Sequence, residues 1–286
     1  MTDREEPRPV IDVPTIELLD GNRIPAVGFG SPDADPSVAA VAFAAAFEAG
    51  YRLVDTAQAY GNEHVVGRAV RDSGLPREQI QVATKVPGKD HGYDETLASF
   101  DVSLANLGLD YVDFYLIHWP NPAYDRYVDT WRAMIELRER GRVRSIGVCN
   151  FTGAYVDRLV RETGVAPVVN QIERHPLFPN DAQLAADRER GVVTESWSAL
   201  GRGHSFIDDP VIGRVAEAHG VTPGQAVLRW HVQGDSVPIS YSRRPERVRQ
   251  NIDVFSFELT ADEIAAISSL ESGRIWHQDP TESNYL

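Results

Sequence analysis

The sequence predicts an α/β protein built as a closed (β/α)8 barrel, or TIM barrel, and three observations lead to that prediction. Short runs rich in β-branched and aromatic residues recur along the chain, and helical patterns lie between them. Such alternation is typical of parallel βα units. Eight units in a chain of 286 residues match the usual size of this barrel. The predicted strands cover residues 26–29, 52–56, 81–86, 112–119, 144–150, 167–173, 192–200 and 236–242.

The helical segments between these strands have recognisable ends. Asp35 precedes Pro36, as expected for a helix N-cap and first helical position, and Gly50 is a typical stop. Apolar residues at helical spacing over 127–141 end in the same way, at Gly141. An open doubly wound sheet shares this alternation and is the alternative fold.

Further elements flank the predicted barrel. An Asp20-Gly21 turn within residues 15–30 predicts a β-hairpin, which we expect to plug the N-terminal end of the barrel. Two helical patterns, 245–255 and 260–270, follow the eighth strand as extra C-terminal helices. No Pro/Gly/Ser-rich linker or block of charge divides the chain, so residues 1–286 are expected to form a single domain.

The composition restricts the partners and the location of the protein. A formal net charge of -14 argues against a nucleic-acid or anionic membrane partner, because either surface would repel the chain. The single cysteine, Cys149, cannot form an internal disulfide and suits a reducing compartment. No apolar run reaches transmembrane length, the charged and proline-broken start is not a secretory signal, and the scattered histidines lack metal-binding spacing. We expect a cytoplasmic protein without a metal site.

Several predicted strands end in polar or aromatic side chains. These are Asp55, Lys85, His118, Asn150, Gln171 and the Trp197-Ser198 pair. The carboxyl ends of parallel barrel strands meet on one face, where barrel enzymes have their active sites. Any one of these residues is at least equally well explained as a satisfied strand-end group. Their joint placement indicates an active site.

Tyr60, five residues after Asp55, suggests the chemistry of this site. A tyrosine with its ordinary pKa of about 10 is a weak proton donor, and a nearby cation such as Lys85 would strengthen it. Asp55 would keep that lysine charged in a dry cleft, and His118 would hydrogen-bond the substrate oxygen. The result is a general acid aimed at a carbonyl group. A Schiff-base role for Lys85 is the alternative, and its pairing with Asp55 argues against it.

Ordered motifs along essentially the whole chain carry a resemblance to a known family: "GYRLVDTAQAYGNEHVVG", "VATKV", "YLIHWP", "SIGVCNF", "VNQIERHP", "ESWSALG" and "VRQNIDVFSFELT". The chain resembles the aldo-keto reductases, most closely the prokaryotic 2,5-diketo-D-gluconate reductase-like members. The resemblance implies a monomeric barrel that binds NADP(H) without a Rossmann domain and transfers a hydride to an aldehyde or ketone. The family's catalytic tetrad falls on Asp55, Tyr60, Lys85 and His118. A cofactor-binding barrel without turnover, as in ion-channel β-subunits of the superfamily, is the alternative from another class.

The resemblance also implies where the cofactor binds. Asn150 and Gln171 match the contacts to the nicotinamide carboxamide, Trp197 matches the stacking aromatic, and Ser198 and Leu200 match the pyrophosphate side. Independently, residues 242–251 gather four arginines around one acid in an acidic chain, and guanidinium groups suit phosphate oxygens. The alternative for this cluster is a solvated helix start. No GxGxxG or P-loop motif competes with it.

The chain departs from the family pattern at the 2'-phosphate site. Tyr241 stands where the family has a phosphate-binding lysine, although Arg243 and Arg244 would restore positive charge. The remaining implied contacts to the 2'-phosphate, adenosine and adenine are Ser242, Arg244, Arg247, Gln250 and Asn251. We expect NADPH to be preferred, and the missing lysine leaves NADH as the alternative.

The predicted substrate pocket departs from the pattern as well. Pro32 and Pro87 replace two aromatic residues that the family commonly has in the pocket wall. Trp119 remains as a wall, and Trp276 in the tail would close over the pocket. Cys149 replaces the usual serine next to the carboxamide contact. We expect a wider and less apolar pocket that accepts bulky or polar carbonyl compounds.

Overall fold

A two-stranded β-hairpin covers the end of the barrel at which its strands begin. The computed structural model describes residues 10–31, 35–282 and 285. In it, β1 (Thr15–Glu17) and β2 (Arg23–Pro25) pair antiparallel across the predicted turn. The intervening Asn22 donates from Nδ2 to Ser145 Oγ at 3.0 Å, near the start of the seventh strand along the chain. The predicted N-terminal plug is therefore confirmed.

Eight parallel strands form a closed barrel above this hairpin. The order around the barrel is β10 (Ser236–Ser240), β3 (Gly28–Gly30), β4 (Leu53–Asp55), β5 (Gln81–Val86), β6 (Val112–Ile117), β7 (Val143–Cys149), β8 (Val169–Glu173) and β9 (Val193–Trp197), and the pairing of β10 with β3 closes the ring. The prediction of a barrel is confirmed, and the open-sheet alternative is wrong.

Helices surround the barrel and begin with the predicted caps. Asp35 Oδ1 accepts the backbone N–H of Ser37 at 2.9 Å, and Gly50 ends the same helix with a positive φ of 116°. The helices are α1 (Pro36–Ala49), α2 (Glu63–Asp72), α3 (Tyr93–Leu107), α4 (Tyr127–Glu139), α5 (Gly153–Thr163), α6 (Asp181–Glu189), α7 (Pro210–His219), α8 (Pro223–Gln233), α9 (Pro245–Ile252) and α10 (Ala261–Ser268). The last two are the predicted C-terminal helices. The single-domain organisation stays a prediction.

The core consists of a layer between barrel and helices and a smaller cluster inside the barrel. Tyr51, Phe100, Tyr115 and Trp131 are fully buried in the outer layer. Alternate residues of the strands point inward. They form the inner cluster with the hairpin: Leu18, Ile24, Leu53, Ala83, Phe114, Leu116, Cys149, Val168, Val169 and Val237. Within the described part of the chain, no helix combines the length and the apolar character needed to cross a membrane.

Several predicted strands are longer than the observed ones at their carboxyl ends. Asn150 and Ser198 follow β7 and β9 directly and have positive φ values of 61° and 55°. In this left-handed conformation the chain turns out of the strand direction. Asn150 and Ser198 are therefore placed at the open end of the barrel and not within its sheet.

Gly67 and Gly213 provide a matched test of helix packing. A Cβ added at Gly67 in α2 would lie 1.8 Å from the carbonyl oxygen of Leu107, whereas one added at Gly213 in α7 would have no atom within 4 Å. Gly67→Ala is expected to lower the free energy of unfolding by about 2 kcal/mol or more, because α2 and α3 must separate. Gly213→Ala should be neutral or stabilising by up to about 1 kcal/mol. Urea unfolding of both variants checks this, and equal effects would contradict it.

Candidate active site

A cavity of about 1440 Å³ opens at the carboxyl ends of the strands. Most of the predicted site residues line it: Asp55, Tyr60, His118, Trp119, Asn150, Gln171, Trp197, Ser198, Leu200, Tyr241, Ser242, Arg243, Arg244, Arg247, Gln250, Asn251 and Trp276. Lys85 does not line it and is buried next to Asp55. Pro32 lies outside the described residues. The structure thus gathers at one opening residues that are far apart in the chain.

Pro87 does not line the cavity, so its predicted place in the pocket wall is wrong. It is buried and begins the turn of 3-10 helix Gly88–Asp90 that follows β5. Asn121 and the backbone of Tyr285 lie against Gly88. The ring of Tyr285 lines the cavity and lies 5.2 Å from the ring of His118. An aromatic side chain from the C-terminal tail therefore contributes to the wall near His118.

The Lys85 ammonium group is fully buried and has three acceptors. Its Nζ donates to Asp55 Oδ1 at 2.7 Å, to Asp55 Oδ2 at 2.5 Å and to the Thr56 carbonyl at 2.8 Å. Burial alone would lower the pKa of Lys85, but the Asp55 carboxylate raises it above its ordinary value. The lysine therefore stays charged, which disfavours a Schiff-base role, since that chemistry needs a neutral amine.

Tyr60 lies in a short 3-10 helix, Gln58–Tyr60, in the loop that follows β4. Tyr60 is 39% exposed and lines the cavity. Lys85 Nζ lies 5.4 Å from the centre of the Tyr60 ring. Burial raises the pKa of Tyr60, and the Lys85 charge opposes that rise without cancelling it. The lysine acts in the expected direction, but the phenol keeps its proton at neutral pH.

His118 follows β6 and is buried against Tyr60, with the two ring centres 5.7 Å apart. Burial and the Lys85 charge lower the pKa of His118 to about 3. The imidazole is therefore neutral at physiological pH. Its Nδ1 has no hydrogen-bond partner among residues 10–31, 35–282 and 285. The site thus combines a protonated phenol, a neutral imidazole and a buried cation.

Two side-chain amides connect these groups. Gln171 Nε2 donates to Asp55 Oδ1 at 2.7 Å and to Glu195 Oε2 at 3.0 Å. Asn150 Nδ2 donates to the His118 carbonyl at 3.1 Å, and Asn150 Oδ1 accepts the Trp197 indole N–H at 2.8 Å. Both amides therefore have a fixed orientation. The Asp55 carboxylate can only accept, so it pairs with the NH2 group of Gln171, and the Trp197 indole can only donate, so it pairs with the oxygen of Asn150.

Glu195 is a site residue that the sequence did not reveal. It lies within β9, is 2% exposed and contacts the Asp55 group through Gln171. Burial and the nearby Asp55 carboxylate raise the pKa of Glu195 to about 7. The alternation of β9, in which Glu195 and Trp197 point to the same side, is the signal that could have found it.

The rim of the cavity carries the predicted arginine cluster. Arg243, Arg244 and Arg247 line the cavity at the start of α9. Ser242 Oγ accepts the backbone N–H of Arg244 at 3.1 Å. Arg249, from the same sequence cluster, pairs with Glu48 at 3.2 Å and does not line the cavity. Three of the four arginines thus line the cavity.

Arg202 is another cavity residue without a sequence signal. It follows β9 with a positive φ of 47°, and its guanidinium lies 5.4 Å from the centre of the Trp276 ring. Its charge also lowers the pKa of Tyr60, although burial has the larger and opposite effect. Arg202 therefore places a positive charge in the part of the cavity wall that Trp276 forms. In the described ranges, no group of three or more His, Cys, Asp or Glu side chains is arranged to hold a metal ion.

Comparison with known proteins identifies the family. The model of the Aldo/keto reductase family matches residues 26–272. The chain belongs to the aldo/keto reductase family. The predicted resemblance is thereby confirmed. The reductase is similar to 2,5-diketo-D-gluconic acid reductase B of a Corynebacterium species, with 50% identity over 269 residues that cover 94% of this chain and 97% of that enzyme.

Solved structures agree with this assignment. The reductase has a TM-score of 0.87 and 45% identity to an aldo/keto reductase from Brucella melitensis, over 91% of this chain and 100% of that one. It has a TM-score of 0.83 and 34% identity to the Bombyx mori aldo-keto reductase in complex with NADP, over 92% and 94% of the two chains. The reductase is an oxidoreductase of a family that reduces carbonyl compounds with NADP(H).

Glu195 is expected to make the stability of the reductase depend on pH. Its pKa is about 7 in the folded protein against 4.5 ordinarily, so the unfolded chain loses this proton first and folding becomes less favourable as pH rises between these values. Glu195→Gln removes this effect. Relative to the variant, the wild type should lose roughly 3 kcal/mol of unfolding free energy from pH 4.5 to pH 7.

Urea unfolding across this pH range measures the difference. Glu217→Gln, at an exposed position of α7, is the control for the substitution itself and should follow the wild type. Parallel curves for the wild type and Glu195→Gln would contradict the expectation.

Proposed function

We propose that the protein is an NADPH-dependent carbonyl reductase in which Tyr60 is the general acid. The observation that carries this proposal is the protonated phenol at the cavity wall, beside a neutral imidazole and a buried ammonium group. A nicotinamide cofactor, when bound, supplies the hydride for the carbonyl carbon. Tyr60 supplies the proton for the carbonyl oxygen, so that the two transfers convert the carbonyl group into an alcohol.

Each neighbour of Tyr60 has a distinct part in this proposal. His118, neutral at physiological pH, hydrogen-bonds the carbonyl oxygen and places it before the phenol. When Tyr60 gives up its proton, Lys85 stabilises the phenolate by its charge. Asp55 accepts two hydrogen bonds from Lys85 and keeps the ammonium group in place.

The two amides support nicotinamide as the bound group. Because Gln171 Nε2 donates to two carboxylates, its Oε1 is the atom left to accept a hydrogen bond. Asn150 Oδ1 accepts the Trp197 indole N–H, and one Nδ2–H of Asn150 donates to the His118 carbonyl. The second Nδ2–H is therefore left to donate to a bound group. One donor and one acceptor match a primary carboxamide. The Trp197 indole in the same wall offers a face on which a planar ring can stack.

The arginine rim supports a cofactor with an additional phosphate. Arg244 and Arg247 are exposed, line the cavity and stand at the N-terminal end of α9, where backbone N–H groups favour anions. Tyr241 occupies the place of the family lysine and packs on Phe29, with the ring centres 5.5 Å apart. We therefore assign the 2'-phosphate to the guanidinium groups and not to a lysine.

The mouth of the cavity supports a polar or acidic carbonyl substrate. Arg202 lines the cavity with its guanidinium 5.4 Å from the centre of the Trp276 ring, while Trp119, Trp276 and Tyr285 provide apolar surface. The related 2,5-diketo-D-gluconic acid reductase B is named for an acid substrate. We propose that carbonyl compounds with a carboxylate are preferred among otherwise similar substrates. Cytoplasmic location and a monomeric state stay predictions.

A panel of carbonyl compounds with NADPH tests the role of Tyr60. The panel contains small, bulky and carboxylate-bearing aldehydes and ketones. Tyr60→Phe is expected to lower kcat by about 10³-fold, which is typical for removal of a general acid. NADPH affinity, measured by fluorescence titration, should stay unchanged because the cofactor contacts remain.

Tyr93→Phe removes the hydroxyl of an exposed tyrosine in α3 and should leave the rates unchanged. Retained activity in Tyr60→Phe would overturn the mechanism. Tight NADPH binding by the wild type without turnover on the whole panel would favour a binding module, and borohydride trapping of a substrate on Lys85 would favour the Schiff-base alternative.

Parallel assays with NADPH and NADH test the cofactor assignment. Arg247→Ala is expected to raise KM for NADPH about tenfold or more, since a guanidinium pairs with phosphate through charge-assisted hydrogen bonds. KM for NADH should hardly change. Arg249→Ala is the control, because this arginine of the same helix pairs with Glu48. An equal or better kcat/KM of the wild type with NADH would refute the NADPH preference.

A further inference from the structure

Glu173 is a buried carboxylate that the proposed reaction does not use. It is the last residue of β8, and its side chain is completely inaccessible to solvent. His175 Nε2 lies 3.1 Å from Glu173 Oε1. A buried charge is expensive unless it is paired and hydrogen-bonded. The donors that surround this carboxylate therefore reveal what it holds in place.

Most of these donors belong to the C-terminal tail. Glu173 Oε1 accepts the backbone N–H of Ile275 at 2.9 Å and that of Trp276 at 3.4 Å. Glu173 Oε2 accepts Arg274 Nη1 at 3.3 Å. Burial alone would raise the pKa of Glu173, but the hydrogen bonds from His175 and the tail lower it below the ordinary value. The carboxylate is ionised at neutral pH and fixes three consecutive tail residues.

The loop after β8 fixes the same segment from its other side. The backbone N–H groups of Ser272 and Gly273 both donate to the Leu177 carbonyl at 2.8 Å. The Arg274 guanidinium lies 4.5 Å from the centre of the Phe178 ring. Tail residues 272–276 are thus bound to the end of β8 and to the loop that follows it. Among these contacts, the Glu173 carboxylate is the charged and buried acceptor.

The attached segment ends at the cavity. Trp276 is 38% exposed and forms part of the cavity wall, with Arg202 beside its ring. Glu173 is the register partner of Trp197 on β9, so the attachment point belongs to the rigid barrel. The position of one wall of the substrate pocket therefore depends on a side chain that does not itself line the cavity.

We propose that Glu173 is a specificity-determining positioning residue that holds the C-terminal tail so that Trp276 forms a wall of the substrate pocket. It acts through Trp276 and does not touch the substrate. The proposal rests on the proposed function only in taking the pocket to receive a carbonyl substrate. Removing the charge of Glu173 releases the tail, and substrates that use the Trp276 surface lose affinity while small ones do not.

Limited proteolysis tests the attachment without reference to activity. Arg274 is the last lysine or arginine of the chain, so trypsin cleavage there releases residues 275–286, which mass spectrometry identifies. In Glu173→Gln the rate of this cleavage is expected to rise about tenfold or more, because the charge-assisted contact to Arg274 and the acceptor for the tail are weakened. Equal cleavage rates in the wild type and the variant would overturn the proposal, whatever the activity of the protein.

Glu263→Gln is the matched control. Glu263 also accepts a histidine Nε2 and a backbone N–H, from His219 and Thr260, but makes no hydrogen bond or ion pair with the described tail residues 272–282 and 285. It should leave cleavage at Arg274 at the wild-type rate. Faster cleavage in Glu263→Gln as well would show general destabilisation and would also overturn the proposal.

Kinetics test the consequence for specificity. With NADPH, Glu173→Gln is expected to raise KM for naphthaldehyde about tenfold while kcat and the KM for propanal stay within about twofold. Trp276→Ala should have a similar effect, and the double variant should be no worse than either single one, since both act on the same wall. Additive effects, or equal losses for both aldehydes, would overturn it. A wild type that reduces neither aldehyde would contradict the proposed function, and the proteolysis result would still decide the attachment.

Discussion

The buried ion pair between Lys85 and Asp55 is the interaction on which the site depends. An ammonium group with no solvent contact is stable only because two carboxylate oxygens and the Thr56 carbonyl satisfy all three of its donors. Its charge helps to keep His118 neutral and opposes the rise in the pKa of Tyr60. The carboxylate also orients Gln171. The pair therefore influences the protonation of two neighbouring side chains and orients one of the two amides.

The alternation of the strands explains why this pair lies where it does. Leu53 and Asp55 point inward from β4, and Ala83 and Lys85 point inward from β5. Each strand thus contributes an apolar residue to the lower interior and a polar residue to the layer above. The apolar layer and the hairpin exclude water from below, which strengthens the electrostatic interactions in the polar layer.

Sequence patterns predicted most of this arrangement because they are local. Strand periodicity placed all eight barrel strands, and the caps at Asp35 and Gly50 placed the first helix. The prediction for Pro87 failed because the chain after β5 packs against Asn121 and the backbone of Tyr285. These contacts are distant in sequence, so no local pattern contains them. Glu173 and Arg202 were missed for the same reason, whereas the alternation of β9 could have revealed Glu195. The importance of Glu173 and Arg202 lies in partners that are distant in sequence, such as the tail segment bound by Glu173.

The opposing effects on Tyr60 bear on the direction of the proposed reaction. A proton donor must hold its proton until the carbonyl oxygen becomes basic, and burial provides this by raising the pKa of the phenol. After transfer the phenolate would be costly in the same surroundings. The Lys85 charge stabilises the phenolate and so reduces the free-energy cost of forming it. In the proposed reaction, burial keeps the proton on Tyr60 before transfer and the Lys85 charge lowers the cost of the phenolate afterwards. The same two effects would serve the return of the proton if the reaction ran from the alcohol.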